Sequence, residues 1–529
     1  MSRLVPALCV VFLSTPAFAQ QRAAAPSHRI PRLGLDGLRT DTSNAPEETR
    51  APEEIRTPEE TAPRTPQATA AARGDESRQM RRLQRQVERL VRQGPTRGVR
   101  VGVVVADADT GTEWVHLRGE ESFNPASTLK LFTSAVALDR LGGDHRFKTE
   151  IRVIGKTVYL RGTGDPMLST DQLAALVDDA LPALQAIDTI EEVVVDPNAF
   201  RGGILPPGYS EKETDASYRA ATGAVALDYG AARVEVYATR EGRPPRVVIT
   251  PPGGYALIQN NGRTVSGSGA TIRIRLQPAG DRSRVIVSGR IGRGRSHPVY
   301  AIRRLEHPPI AAGYAFRHLL RDRGLQVENE TIRLSSTPEE ARTVASHDSL
   351  PLVEIIRAMN KHSNNFIAEM LLRGLARSSD NAPPGTWRRG TNAVQQFLTQ
   401  EVGIASGSFE FRNGSGLYNG GQFSPQQVVQ LLLTMNRHPD REAYRDSLAV
   451  AGQDGTLRNR LRGGRYARRV IGKTGTLNDV SALSGYARNR SGRLFAFSIL
   501  MNETNQATRA MRRLQDRICA LLIDHRMAP

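Results

Sequence analysis

The stretch at residues 124–133, Asn-Pro-Ala-Ser-Thr-Leu-Lys-Leu-Phe-Thr, constrains this chain most, because it places Ser127 three positions before Lys130 in a predicted helix. Side chains at i and i+3 share one helical face, so the hydroxyl and the amine are predicted to lie within reach of each other. A serine becomes a good nucleophile only when a neighbouring base takes its proton. A lysine can be that base once burial or a nearby cation lowers its pKa from about 10.4.

Two later motifs turn this weak pattern into a specific one. Residues 363–365, Ser-Asn-Asn, form an S-x-N on a predicted loop between two helices. Residues 473–475, Lys-Thr-Gly, form a K-T-G near the end of a predicted strand. A serine followed three positions later by a lysine is common on solvated helices. The three motifs in this order, however, predict acyl transfer.

Acyl transfer needs a nucleophile, a base, a proton relay and groups that hold the substrate. We predict that Ser127 is the nucleophile and Lys130 the general base. Ser363 is placed to relay a proton to the departing amine. Asn365 can hydrogen-bond a peptide carbonyl and hold the base. Lys473 supplies a second cation, which disfavours protonation of the base and attracts a substrate carboxylate.

The residues after Lys473 are predicted to bind substrate. Thr474 offers a hydroxyl to the same carboxylate, and Gly475 has no side chain, so substrate can lie against the strand. Backbone N–H groups of Ser127 and Thr476 would form an oxyanion hole, worth about 3–4 kcal/mol per donor.

Three other patterns favour structural interpretations. Residues 472–474 could end a phosphate loop, but the glycine required five places earlier is Ala467. His362 adjoins the S-x-N, yet Ser363 and Lys130 already fill the proton-transfer roles. Ser415 lacks the G-x-S-x-G spacing of a nucleophile elbow and is interpreted as a turn residue.

The composition of the 529-residue chain gives a formal charge of +18, which favours polyanionic partners such as nucleic acid, anionic lipid or acidic wall polymers. No basic motif interleaved with aromatics, zinc spacing or helix-turn-helix pattern is present, so no nucleic-acid partner is predicted. Of the two cysteines, Cys9 lies in a leader and Cys519 in an amphipathic helix pattern. Neither a disulfide nor a cysteine metal site is therefore expected.

The amino-terminal region predicts export. Residues 1–19 have a positive start, an apolar run and an Ala-Phe-Ala cleavage site, as in a secretory signal peptide. Residues 20–75 are rich in Pro and Glu, with near repeats at 45–50 and 51–56, and are interpreted as a disordered tether. No later apolar stretch approaches a membrane-spanning length.

The remaining chain predicts an α+β core interrupted by an insertion. Ser363 lies 236 positions after Ser127 (363 − 127), too far for a single loop, so residues 149–349 are interpreted as one or two inserted α/β subdomains. Residues 76–148 and 350–529 are expected to form one domain, because its last three strands follow one another through short turns and imply an antiparallel sheet flanked by helices.

With the three motifs in order, the chain from about residue 97 to the end resembles the class C low-molecular-mass penicillin-binding proteins, the D-alanyl-D-alanine carboxypeptidase/endopeptidase type. Further similar segments are Gly-Asp-Pro at 164–166, Val-Ala-Gly-Gln-Asp-Gly-Thr-Leu at 450–457 and Ser-Ala-Leu-Ser-Gly-Tyr at 481–486. The long insertion between the first two motifs is also typical of this type.

The resemblance implies a penicillin-binding transpeptidase-like domain and a serine-type hydrolase that trims peptidoglycan stem peptides in the periplasm. It implies release of the terminal D-Ala, cleavage of D-Ala–diaminopimelate cross-links and covalent acylation of Ser127 by β-lactams. No metal or organic cofactor is expected. Two alternatives stay open: a β-lactamase or esterase of the same acyl-serine class, and a catalytically quiet peptidoglycan-binding protein.

Within this resemblance, Asp215 matches the aspartate that meets the free amine of the diamino-acid side chain. The sequence departs from the family pattern nearby, with Ala220-Ala221 in place of the usual Ala-Pro. It departs again at residues 413–418, Asn-Gly-Ser-Gly-Leu-Tyr, where the family has Asp-Gly-Ser-Gly-Leu-Ser.

Overall fold

The computed structural model describes residues 66–377 and 382–525, with side chains from residue 75 onward. The predicted signal peptide and residues 20–65 of the predicted tether lie outside the described residues. Helix α1 (Pro66–Gln93) begins ten residues before the predicted start at Glu76, so the last part of the predicted tether is helical. Proline is well suited to the first turn of a helix, where its missing N–H is not needed.

Before the insertion, a hairpin leads into a buried helix. These elements are β1 (Arg100–Asp107), β2 (Glu113–Leu117) and α2 (Lys130–Leu141).

The insertion contains three sheets and two helices. Its elements are β3 (Lys148–Ile154), β4 (Thr157–Gly162), α3 (Thr170–Leu184), β5 (Glu192–Asp196), β6 (Ala231–Tyr237), β7 (Arg246–Thr250), β8 (Ala256–Val265), β9 (Arg273–Ala279), β10 (Arg282–Gly292), β11 (Val299–Arg304), α4 (Pro308–Asp322), β12 (Arg333–Leu334) and β13 (Arg342–Asp348).

After the insertion, helices precede the remaining strands of the core. The elements are α5 (Leu352–His362), α6 (Asn365–Gly374), α7 (Trp387–Gln400), β14 (Glu410–Phe411), β15 (Gly421–Gln422), α8 (Pro425–Arg437), α9 (Arg441–Asp446), β16 (Ala449–Val450), β17 (Val470–Leu477), β18 (Val480–Arg488), β19 (Leu494–Asn502) and α10 (Thr508–Asp524).

The central sheet has the order β16-β17-β18-β19-β1-β2, and all its neighbours are antiparallel. Successive side chains of a strand point to opposite faces. Val103 and Val105 of β1 therefore pack with α1 and α10, whereas Val104 packs with α2 and α8. Helices cover both faces of this antiparallel sheet, which confirms the α+β prediction. Cys519 is buried among the apolar residues of α10, where the sequence placed it.

The insertion divides into an α/β part and a β part. The five-stranded sheet β12-β5-β4-β3-β13 packs against α3 and α4. The three-stranded sheets β8-β10-β9 and β11-β6-β7 share a second core that includes Val234 and Val285. Ala311 and Tyr314 of α4 also belong to this second core, so α4 packs against both parts of the insertion.

Candidate active site

Ser127 lies in a short 3-10 turn (Ala126–Leu129) that runs directly into α2, whereas the sequence predicted one helix through both motif residues. A 3-10 turn aligns side chains three positions apart, so the pairing is retained. Lys130 Nζ lies 3.1 Å from Ser127 Oγ. Asn124 Oδ1 accepts a 2.8 Å hydrogen bond from the N–H of Ala126, which stabilises the start of the turn.

Lys130 is completely buried, and oxygen atoms surround its amine. Nζ lies 2.8 Å from Asn365 Oδ1 and 2.7 Å from the carbonyl oxygen of Ser415. Burial lowers the pKa of Lys130 to about 7, and the negative charge of Glu369 opposes that lowering. A neutral amine can donate to Asn365 and Ser415 while it accepts the proton of Ser127, as a general base must.

The S-x-N motif forms the break between α5 and α6, as predicted. Ser363 ends α5 in the left-handed conformation, with φ 56° and ψ 38°. Asn364 begins α6, and its side chain accepts a hydrogen bond from the N–H of Ile367 at 3.1 Å. Asn365 donates through Nδ2 to the carbonyl oxygen of Tyr218 at 2.9 Å, so it links Lys130 to the insertion.

Lys473 is also completely buried, on β17. Its amine donates to Ser363 Oγ at 2.8 Å and to the carbonyl oxygen of Thr474 at 2.9 Å. Burial, and secondly the charge of Lys130, lower the pKa of Lys473 well below its ordinary value. The sequence analysis takes Lys473 as a second cation, and burial opposes that charge.

Strand β17 has one face against the turn that carries Ser127, and part of its edge is unpaired. Strand β16 pairs only with Ile471 and Gly472, so residues 473–477 have no strand on that edge within the described part of the chain. A Cβ atom on Gly475 would lie 2.6 Å from the carbonyl oxygen of Pro125. Close approach of the serine turn therefore requires glycine here, a reason other than the room for substrate that the sequence suggested.

The two threonines of this strand contact residues that the sequence did not single out. Thr474 Oγ1 donates to Thr456 Oγ1 at 2.9 Å, and Thr456 belongs to the 450–457 segment quoted above. Arg512 on α10 donates through Nη2 to Thr476 Oγ1 at 3.2 Å. Thr456 and Arg512 therefore lie within reach of a ligand on this strand edge.

A buried carboxylate behind Lys130 is the main feature that the sequence analysis missed. Glu369 accepts hydrogen bonds from the N–H groups of Gly414 at 3.0 Å and Ser415 at 2.9 Å. Burial raises the pKa of Glu369, and these hydrogen bonds oppose the increase. Its only signal in the sequence is an acid within the apolar stretch 366–372, Phe-Ile-Ala-Glu-Met-Leu-Leu.

A cavity of about 460 Å³ opens beside the S-x-N motif. Ser363 and Asn365 form one side of it, together with the exposed His362. Tyr218 and Tyr229 of the insertion form the other side, and they are 44% and 40% exposed. The insertion therefore contributes a partly aromatic wall to the site.

Of the predicted site residues, Ser363 and Asn365 line this cavity, whereas Asp215 does not. It lines a separate cavity between β9 and β11. Its carboxylate forms an ion pair with Arg303 at 3.1 Å and accepts from the N–H of Leu276 at 3.0 Å. These contacts join two strands from different sheets and occupy one oxygen of the carboxylate.

Neither a metal site nor a membrane span is found within residues 66–377 and 382–525. No three His, Cys, Asp or Glu side chains in these ranges are grouped so that they could hold a metal ion. None of their helices combines the length and hydrophobicity needed to cross a membrane.

Comparisons with known proteins agree with this geometry. A profile of the D-Ala-D-Ala carboxypeptidase 3 (S13) family matches residues 83–522. A D-alanyl-D-alanine carboxypeptidase of Actinomadura sp. (strain R39) is 32% identical over 443 residues, which cover 79% of this chain and 81% of that protein. The D-alanyl-D-alanine carboxypeptidase DacB of Haemophilus influenzae is 26% identical over 77% of this chain and 86% of its own length.

The crystal structure of penicillin binding protein 4 (dacB) from Haemophilus influenzae shares the fold. Its TM-score is 0.69 at 22% sequence identity, and the match covers 83% of this chain and 99% of that chain. The fold and the pairing of a serine with a buried lysine define a serine enzyme of the penicillin-binding type. The chain belongs to the D-Ala-D-Ala carboxypeptidase 3 (S13) family and is a serine-type carboxypeptidase of that family.

Proposed function

We propose that this protein hydrolyses peptidoglycan stem peptides in the periplasm, after removal of residues 1–19, as both a D-Ala-D-Ala carboxypeptidase and an endopeptidase. The observation that carries the proposal is the contact between the partly exposed Ser127 and the buried Lys130, whose hydroxyl and amine lie 3.1 Å apart. A pKa of about 7 leaves the amine neutral part of the time at neutral pH, so it can take the proton of the serine.

In the first half of the reaction, Ser127 Oγ loses its proton to Lys130 and attacks the carbonyl carbon of the penultimate D-Ala. Backbone N–H groups of Ser127 and Thr476 stabilise the oxyanion. The C–N bond then breaks, and the proton passes from Lys130 through Ser363 to the departing amine. An ester on Ser127 remains.

In the second half, water attacks the ester carbonyl and gives up a proton to Lys130, which returns it to Ser127 Oγ as the C–O bond breaks. Lys473 and Thr474 hold the carboxylate of the terminal residue, and Asn365 holds the peptide carbonyl. The unpaired edge of β17 lets an extended peptide lie alongside residues 473–477. Residues before about 149 and after about 349 carry this chemistry, and the insertion forms the far wall of the cavity.

Labelling of the mature protein with a fluorescent penicillin tests the acyl-enzyme step. We expect one covalent label that is lost in Ser127→Ala. A label that survives this substitution would overturn the assignment of the nucleophile. Rapid turnover of the β-lactam would instead identify a β-lactamase.

Digestion of purified muropeptides, read by mass spectrometry, tests the substrate. We expect loss of one D-Ala from pentapeptides and conversion of cross-linked dimers to monomers. Binding of peptidoglycan by both the native protein and Ser127→Ala, without any such products, would favour the quiet binding protein.

A further inference from the structure

The β part of the insertion carries more than half of the formal charge of the chain. Residues 231–306 contain 14 arginines, no lysine and four acidic residues, a net charge of +10, against +18 for the whole sequence. Arginine presents a planar fork that matches phosphate and carboxylate groups, and it is less strongly hydrated than lysine. This segment is therefore suited to anions in a way that an ordinary solvated surface is not.

Five of these arginines lie on one face of the sheet β8-β10-β9. Residues paired directly across strands share a face, and the register pairs Arg275 with Ile286, Arg273 with Ser288, and Arg290 with Arg263. The alternate residues Val285 and Val287 of β10 are buried on the opposite face. We call the set Arg263, Arg273, Arg275, Arg284 and Arg290 the arginine face.

The arginine face is exposed and lacks acidic residues. The other paired positions on it are Leu257, Gln259, Asn261, Gln277, Ile286 and Ser288. Within the described part of the chain, none of its five guanidinium groups forms an ion pair or a side-chain hydrogen bond. Nearby arginines differ, because Arg233 pairs with Glu235 and Arg303 pairs with Asp215. The face therefore carries uncompensated positive charge.

The distribution of these arginines fits a planar anionic partner better than a single polymer chain. They occupy all three strands rather than one line, and the aliphatic side chains of Leu257 and Ile286 lie between them. Leu257 is exposed and Ile286 half-buried, and aliphatic residues among cations are typical of surfaces that rest on lipid headgroups. At the β9 edge, Arg273 and Arg275 also line the separate cavity of about 460 Å³, which can admit one headgroup.

We propose that the arginine face docks the protein on the anionic phospholipid headgroups of a membrane surface. Each basic residue near such a surface adds to the electrostatic attraction. Docking would hold the enzyme on the membrane surface and would not require a membrane-spanning helix. It is independent of the acylation chemistry, so either proposal can fail alone.

Vesicle sedimentation tests the docking proposal on the full mature protein. One variant changes the five arginines of the arginine face to glutamine. A matched control changes five other exposed arginines, Arg81, Arg85, Arg89, Arg92 and Arg97, to glutamine, which removes the same charge. The probes are vesicles of phosphatidylcholine with and without phosphatidylglycerol, in low and high salt, and isolated peptidoglycan.

We expect the native protein and the control variant to sediment with phosphatidylglycerol vesicles in low salt, and the arginine-face variant to bind at least tenfold more weakly. Fluorescent penicillin should label all three proteins equally, which shows that they are folded. Equal losses in both variants would overturn the proposal, because overall charge would then explain binding. No binding of the native protein to the vesicles, or binding to peptidoglycan alone, would also overturn it.

Discussion

Glu369 accepts a hydrogen bond from the N–H of Ser415 at 2.9 Å, and the carbonyl oxygen of Ser415 lies 2.7 Å from the amine of Lys130. The backbone of Ser415 thus connects the buried acid Glu369 to the buried base Lys130. Glu369 acts on Lys130 in two ways, because it holds the turn that supplies an acceptor and its negative charge favours the protonated amine.

Replacing Glu369 by glutamine alters both effects, and a different measurement reports each of them. Removal of the negative charge should lower the pKa of Lys130 below about 7, so the acid limb of the penicillin acylation rate should move to lower pH. The lost acceptor for a backbone N–H should also cost about 1–3 kcal/mol of stability. Stopped-flow labelling from pH 5 to 9 and urea unfolding measure the two changes.

Tyr209→Phe is the matched control for Glu369→Gln. It removes a hydroxyl that lies 3.3 Å from Glu369 and 2.9 Å from Ser415 Oγ, but it removes no charge. We expect it to lower stability without moving the acid limb. The same displacement of the pH profile in both variants would contradict an electrostatic role for Glu369.

The acylation rate of the native enzyme should rise with pH through about 7, the pKa of Lys130. Well below that value the protonated fraction dominates, so the rate should fall about tenfold per pH unit. Lys130→Arg retains a cation that cannot be deprotonated. Above pH 7, where the native base is mostly neutral, this variant should therefore acylate about 10²–10⁴-fold more slowly. A flat profile for the native enzyme between pH 5 and 9 would exclude Lys130 as the base.

Ser363 combines a functional hydroxyl with a left-handed backbone, at φ 56°. Such a conformation costs a residue with a Cβ atom roughly 1–2 kcal/mol, whereas glycine adopts it freely. Ser363→Gly and Ser363→Ala both remove the hydroxyl that Lys473 contacts, so both should lose acylation by the same factor, about 10²-fold or more. The glycine variant should resist unfolding by urea better than the alanine variant, because glycine adopts the left-handed conformation without strain. Equal stabilities would show that the backbone at this position is unstrained.

Local patterns predicted the elements around the site better than the contacts inside it. Apolar spacing and turn residues predict the loop between two helices at the S-x-N. They also predict the last three consecutive strands of the chain. The structure confirms both. The serine turn was expected to be α-helical. It forms a 3-10 turn whose surroundings are tertiary contacts, with β17 and between Asn124 and Asn502, which propensity does not encode.

The contacts that the sequence could not predict join residues that are far apart in the chain. Glu369 meets Ser415 across 46 positions, and Asp215 meets Leu276 across 61. No periodicity relates such pairs. The family resemblance identified Asp215 by type and position, but an ion pair with Arg303 is visible only once both sheets are placed.

Gly475→Ala tests the packing of the serine turn. The added Cβ would meet the carbonyl oxygen of Pro125 at 2.6 Å, so the turn that carries Ser127 must move away from β17. Misplacement of a nucleophile by about 1 Å can cost about 10²-fold in rate. Gly464→Ala is the control, because no atom lies within 4 Å of its added Cβ. Unchanged penicillin labelling in Gly475→Ala would show that the turn has room to adapt.

Asp215→Ala distinguishes a structural role from a substrate contact. Because its carboxylate already binds Arg303 and the N–H of Leu276, we expect the substitution to lower the unfolding temperature. It should change D-Ala release and cross-link cleavage by the same factor. Both reactions are followed on the same muropeptide mixture by mass spectrometry, and Arg303→Gln serves as the control because it breaks the same ion pair from the other side. If Asp215→Ala lost cross-link cleavage alone while Arg303→Gln retained it, Asp215 would bind the diamino-acid amine as the resemblance implies, and the ion pair would be a resting state that substrate displaces.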